Sequence, residues 1–338
     1  MLSINPQRGK RHARMTAGAL VAAALSLTGC ASSPQAPSFE LAAEEWDFGG
    51  IAGTRLLSDH FDIRTTVTDE PMVSVLPVFL ETCHQEYESL LGSRASDTDR
   101  LAVYVFDTRS QWWAFTQKFA PGQARVYQHI TSGGFADQAT ATGVFYAIGR
   151  DRTLAVAAHE GLHQYVARHF KSPIPAWLNE GLATQMETFE LHDGVPEFVP
   201  RRNLFRKNDL MAAFVDEHVK LFELPEFLTM HAGHAVVSPT KPTATYYAQA
   251  WSLLLYLRQG ANEAWREGFR RMLGEAGTDA MQAAAKAYRV ATPDAADLSF
   301  GEIVFRYYIT EDYDAFMADY TQFARDLVCP PTRGTWPF

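Results

Sequence analysis

The spacing of apolar and polar positions divides this chain into two halves. His60-Phe61-Asp62-Ile63-Arg64-Thr65-Thr66-Val67 alternates with a two-residue period and is rich in β-branched side chains, so it reads as a strand. From Pro71 to Leu91 the period lengthens to that of a helix, with Leu76, Phe79, Leu80, Cys83, Tyr87 and Leu90 along one stripe. Leu101–Phe106 is the next strand, and Ser110–Phe119 is a short aromatic helix whose Trp112-Trp113 pair suits a core. Two further strands are expected at 130–137 and 143–148, giving the order β-α-β-α-β-β.

Asp151 is a good N-cap for a helix that runs to about Phe170, with Leu154, Ala158, Leu162, Tyr165, Val166 and Phe170 on one face. Pro173 and Pro175 stop it. A second helix starts at Ala176 and is expected to reach about Phe189, its core face made of Leu178, Leu182, Met186 and Phe189. Beyond Asn203 the pattern is helical over 208–222, 244–259, 262–273, 278–289 and 311–327. The expected class is α+β, with a sheet-bearing part over 58–170 and a helical part over 171–338.

The first residues do not belong to that pattern. Arg8, Lys10, Arg11 and Arg14 form a basic stretch ahead of eleven apolar residues, Ala17 to Leu27, too few to span a bilayer. Leu27-Thr28-Gly29-Cys30 then resembles the lipobox of bacterial lipoproteins. That resemblance implies a signal peptide over 1–29 and a mature chain beginning at Cys30, which would carry the lipid and tie the protein to a membrane. A plain secretory signal cut near Ala24 or Gly29 is the alternative, and both predict export. Residues 31–38 are small, polar and Pro-containing and suit a tether, so 30–57 is expected to be tether and lead-in, with folding from near Phe39. By analogy with lipoproteins generally, Ala31 after the cysteine suits the outer membrane.

With 47% hydrophobic residues the chain has ample material for a core. Its formal charge is −9, and loss of residues 1–29 removes four basic side chains and no acidic ones, leaving 26 against 39, or −13. Such a surface repels nucleic acid and anionic lipid. Cys83 and Cys329 could pair in an oxidising compartment, but Cys83 lies on an apolar stripe where a buried thiol is equally at ease.

The chemistry centres on His159-Glu160-Gly161-Leu162-His163. Two histidines four apart project from one face of a helix and can reach one ion, and neutral imidazole is a common zinc ligand. Glu160 is rotated by about 100° from His159, so it can approach a metal-activated water as general base without occupying a coordination position. A catalytic zinc wants three protein ligands and an open position. Glu180 is the best third candidate, since the turn at 171–175 lets the second helix pass back beside the first; a solvated surface acid is its ordinary alternative. The position four after Glu180 holds Thr184, so no carboxylate is evident to orient a ligating imidazole. His231 and His234 are better suited to a surface or supporting place, and His84 and His129 lack partners at ligand spacing.

His159-Glu160-Gly161-Leu162-His163-Gln164 followed by Pro175-Ala176-Trp177-Leu178-Asn179-Glu180-Gly181-Leu182-Ala183 resembles the gluzincin, or MA-like, zinc metallopeptidases, and within them the bacterial peptidase-MA-like proteins of the DUF1570 type. The resemblance covers about residues 58–260. It implies a zincin-like, thermolysin-like catalytic core, one Zn2+ per chain held by His159, His163 and Glu180, Glu160 as base, and a peptide or protein substrate. In that group a Tyr or His from the helical half often stabilises the oxyanion. Tyr247-Ala248-Gln249-Ala250-Trp251 resembles the family's later helical motif, which makes Tyr247 the candidate and Tyr246 the fallback. Related zincins also bind extended peptide on an edge strand where Thr131–Ala136 stands; a simple glycine turn is the equal alternative. Two other functions compete with the peptidase: a noncatalytic envelope binding protein, and a zinc hydrolase of another amide or ester.

Overall fold

Strand β3 (Phe61–Thr65) buries alternate residues, as its two-residue period requires, and from it the sheet grows in both directions. The computed structural model describes residues 36–92, 99–131, 133–230 and 243–329. On one side of β3 stands the hairpin of β1 (Ala42–Phe48) and β2 (Ile51–Leu57); on the other stand β4 (Leu101–Phe106), β6 (Thr142–Tyr146) and β5 (Gly134–Asp137). The order is β1-β2-β3-β4-β6-β5, with β3, β4 and β6 parallel and the outer pairings antiparallel.

The alternation along β4 separates two cores. Leu101, Val103 and Val105 belong to the main core with helices α1 (Glu70–Leu91) and α4 (Arg150–His169). Phe106 turns the other way, into a smaller aromatic core with Trp112 of α2 (Arg109–Phe119), flanked by Trp46, Phe48 and Tyr104. Trp112 is fully buried, as its place in the sequence suggests.

After α4 come α5 (Ala176–Gln185), a second hairpin of β7 (Phe189–His192) and β8 (Val195–Phe198), and a helical half. Its members are α6 (Leu204–Val215), α7 (Leu224–Thr229), α8 (Thr243–Gln259), α9 (Glu263–Glu275), α10 (Asp279–Ala291), α11 (Phe300–Tyr308) and α12 (Tyr313–Val328); the one-turn helix Ala124–Tyr127, α3, lies earlier. The fold is therefore mixed α and β, with a small N-terminal sheet and a helical C-terminal half.

Several boundaries differ from those expected. Part of the lead-in over 30–57 is a strand pair, turned by Gly49 and Gly50 at positive φ. The helix expected to reach Phe189 ends at Gln185, because Phe189 is already in β7. The helix expected over 208–222 is α6, shifted toward the N-terminus by the side-chain cap of Asn203. Asp151 lies inside the first turn of α4, and Gly149, with φ 97°, holds the cap position. Cys83 and Cys329 are both free thiols, and Cys83 is buried on the predicted stripe. Cys30 and the segment before it lie outside the described residues, and no described helix is long and apolar enough to cross a membrane.

Candidate metal centre

Three contacts fix how α4 is rotated about its axis. The Tyr87 hydroxyl donates to the Ala158 carbonyl at 2.7 Å, and a side chain at Gly161 would place its Cβ 2.6 Å from that same hydroxyl oxygen, so only glycine lets α1 approach here. Leu162 is fully buried. Gln164 Nε2 donates to the Ala102 carbonyl at 2.8 Å and the Ala141 carbonyl at 2.7 Å, joining the helix to the sheet. With these residues turned inward, His159 and His163 share the face that looks toward α5.

Helix α5 is set with the same economy. A Cβ at Gly181 would fall 2.5 Å from Leu254 Cδ1 of α8, and Gln185 Nε2 donates to the Trp251 carbonyl at 3.1 Å. Gly181 thus faces α8, and its neighbour Glu180 is left facing α4. Glu180 Oε2 lies 3.5 Å from His159 Nε2 and 3.4 Å from His163 Nε2. One ligand atom from each of the three residues lies within 4.8 Å of the others.

Those separations suit a shared ion better than a hydrogen bond. Charge-assisted hydrogen bonds run to about 2.9 Å, whereas zinc bonds of about 2.0–2.1 Å at tetrahedral angles put neighbouring ligand atoms about 3.4 Å apart. Among the described residues Glu180 Oε2 is buried without a hydrogen-bond partner, a costly state for a carboxylate oxygen unless a cation completes it. The donor set, the spacing and this orphaned oxygen all fit Zn2+.

The carboxylate that is not evident in the sequence is Glu187. Its Oε1 lies 2.9 Å from His159 Nδ1, and because a carboxylate only accepts, the imidazole proton belongs on Nδ1 and the Nε2 lone pair faces the site. Glu187 is held in turn by Asn203 Nδ2 at 2.9 Å and by Arg206, whose Nε reaches Oε2 at 2.8 Å and whose second nitrogen reaches Oε1 at 2.5 Å. Asn203 also caps α6, its side-chain oxygen accepting from the Arg206 amide. No pattern on α5 could reveal this, since Glu187 follows the helix end and its partners come from another element. His163 Nδ1 has no hydrogen-bond partner among the described residues.

The charges reinforce one another. Burial alone would push His159 down, but Glu180 and Glu187 outweigh it and raise its pKa to about 10. His163 is raised as well, against burial, chiefly by Glu180. Burial would push the two acids up; instead His163 and His159 pull Glu180 well below the usual carboxylate range, and His159 with Arg206 pulls Glu187 to about 2. These shifts share one cause, carboxylates facing imidazoles, and they make this point favourable for a cation.

Glu160 is adjacent to the ligands, and its Oε2 accepts from the Ala136 amide of β5 at 2.9 Å. Gly133 lies in a bend at φ 101°, and Gly134 begins β5, which is an edge strand among the described residues. Tyr247 stands with its ring 6.0 Å from that of His159, and the Arg206 guanidinium lies 5.0 Å over it. Burial raises the Tyr247 hydroxyl far above its usual pKa, with Glu180 and Glu160 adding to the shift. Tyr246 is fully buried against Phe222 and Phe227, and its hydroxyl has no partner among the described residues. The structure places the Tyr247 ring beside that of His159, and the Tyr246 hydroxyl, raised by burial, also feels the charge of Glu180.

Of the remaining histidines, His84 is buried and stacked on His60 at 3.9 Å, and His129 is exposed. His231 and His234 lie outside the described residues. Comparison with family models, with curated proteins and with solved structures finds no match to this chain.

Proposed function

We propose that the chain is a zincin-like zinc hydrolase, a metallopeptidase exported and anchored through lipid on Cys30. The observation that carries this reading is the convergence of Glu180 Oε2 on the two Nε2 atoms at 3.4 and 3.5 Å. His159, His163 and Glu180 would hold the metal. When bound, Zn2+ supplies a Lewis acid that lowers the pKa of water and polarises a carbonyl.

Each remaining step falls to a protein group. Glu160, fixed through Oε2 by the Ala136 amide, takes the proton of the attacking water and delivers it to the leaving nitrogen. Tyr247 keeps its proton at all working pH values and donates a hydrogen bond to the oxygen that gains charge. Glu187 keeps the proton on His159 Nδ1, so that Nε2 stays a donor of electrons to the metal. Peptide is favoured over other carbonyl substrates because β5 is an outer strand and Glu160 is bonded to it: a substrate in extended form can add alongside β5 with its carbonyl near the base.

The test compares metal content and hydrolysis of a mixed peptide library for the protein, His163→Ala and Glu160→Gln. The proposal expects one zinc per chain, kept in Glu160→Gln with turnover lost, and zinc lost in His163→Ala. Absence of stoichiometric zinc in the unmodified protein would overturn it; zinc without cleavage would move the protein to the binding class.

A further inference from the structure

A cavity of about 1030 Å3 opens where the C-terminal ends of α1, α4 and α8 meet α9 and the start of α10. Its wall carries four permanent cations, Lys171, Arg258, Arg266 and Arg270, on a chain whose formal charge is −9. Among the described residues neither Lys171 nor Arg258 has an ion-pair partner. Arg266 and Arg270 share a single carboxylate, that of Glu263. Among the described residues Asp279 is the acid in the lining; with Glu263 on Arg266 and Arg270 and Glu86 acting on Arg258, the four cations still outnumber the carboxylates about them. Desolvation pulls Arg258 below its usual pKa, opposed only by Glu86, which stays beyond ion-pair distance.

Helix dipoles explain part of this. A cation in the last turn, such as Arg258 of α8, is stabilised by the carbonyl end of its helix. On α9, Arg266 donates to the Gly260 carbonyl just past the end of α8 and pairs with Glu263, and Arg270 pairs with the same acid, so both line this space. The floor is apolar, formed by Leu90, Leu257, Phe269 and Leu273.

We propose that this cavity binds a phosphate monoester that carries an apolar portion. The phosphate oxygens meet Lys171 and Arg258, and the apolar part lies on Leu257, Phe269 and Leu273. A phosphate monoester at neutral pH carries about −1.5 to −2 and three acceptor oxygens, more charge and more acceptors for a wall of four cations than a carboxylate supplies. Arg offers planar paired donors and Lys a point charge, both suited to phosphate. The site is separate from the metal ligands, so it stands whether or not the protein is a peptidase.

Isothermal titration calorimetry with dodecyl phosphate below its micelle concentration tests this, with inorganic phosphate and dodecanoate as comparisons. One dodecyl phosphate per chain is expected, at least tenfold tighter than either comparison and weakened by salt. The double variant Lys171→Met/Arg258→Met should raise the Kd tenfold or more; Lys171→Met alone, which removes no ion pair, should raise it severalfold and keeps the test independent of folding. Binding that is absent, unchanged in both variants, or equal for dodecanoate would overturn the proposal. Co-sedimentation with phosphatidic acid in phosphatidylcholine vesicles, if it depends on Lys171, assigns the ligand to a lipid; dodecyl phosphate binding without vesicle binding assigns it to a free ester.

Discussion

Replacing Glu187 separates what this residue does for the metal from what it does for the fold. In Glu187→Gln the side chain keeps its size but loses the charge that holds the proton on His159 Nδ1, 2.9 Å away. Loss of a carboxylate behind a ligating imidazole costs about 10–100-fold in metal affinity, or about 1.4–2.7 kcal/mol. Glu187→Ala adds a second effect, because the Arg206 guanidinium, only 18% exposed, loses the partner that binds it through two nitrogens. Among the described residues Arg206 then keeps only Asp209 as an ion-pair partner, at 3.8 Å, so the loss is expected below the roughly 3–5 kcal/mol of a wholly unpaired buried charge. Glu187→Ala/Arg206→Met should therefore recover most of the stability and none of the zinc affinity. Zinc affinity is measured by competition with a chromophoric chelator, and stability of the metal-free protein by urea denaturation. If Glu187→Gln binds zinc within twofold of the unmodified protein, Glu187 does not orient His159; if stability and affinity recover together in the double variant, the two effects are one.

Tyr247→Phe should lower kcat by about 10²–10³ with zinc content unchanged, as expected for loss of one oxyanion donor, while Tyr246→Phe leaves kcat within a few-fold; steady-state kinetics on a cleaved peptide decide this. Gly161→Ala should destabilise by about 1–3 kcal/mol in urea, since its Cβ meets the Tyr87 hydroxyl at 2.6 Å, and Tyr87→Phe in the same chain should restore part of it. Stability should also depend on pH through His60, which has Glu81 2.6 Å from its Nδ1; despite burial this partner raises its pKa. A raised pKa means stability fully present below the unfolded value, about 6.5, and lost as pH rises through the folded one. The melting temperature of His60→Asn should thus fall short of the unmodified protein most below pH 6.5, with the gap closing in alkali; a gap that widens with pH would refute the assignment.

The parts of this fold that declare themselves in the sequence are those with a buried face. The stripes of α1 and α4 and the alternation of β3 and β4 appear where the periodicity puts them, because one side of each meets the core. The β1–β2 hairpin is not among the expected elements, since most of β1 is exposed and nothing in Ala42-Ala43-Glu44-Glu45 alternates. Its signal lies in the turn, Gly49-Gly50, as that of β7–β8 lies in Asp193-Gly194, where both residues have positive φ. The same distinction runs through the metal site. His159, Glu160 and His163 are legible because a helix converts spacing into direction, and Glu180 because a second helix returns beside the first. Glu187 and Arg206 are not, because they meet only through the turn after α5 and the cap of α6.

The pins on α4 also bear on how this protein can change over generations. Tyr87, Leu162 and Gln164 grip the helix between Ala158 and Gln164, within the stretch that holds the two histidines and the base. Upstream, the helix begins at a glycine turn with exposed Arg150 and Asp151. A residue gained or lost there costs the bonds of the Thr153 hydroxyl to the Ile148 amide and the Gly149 carbonyl but need not rotate the rest of the helix. Within Ala158–Gln164 the same event would swing every later side chain by about 100° and part the histidines from Glu180. Length variation should therefore be tolerated at the beginning of α4 and rejected over these seven positions, including those, such as Gly161 and Leu162, that take no part in the chemistry.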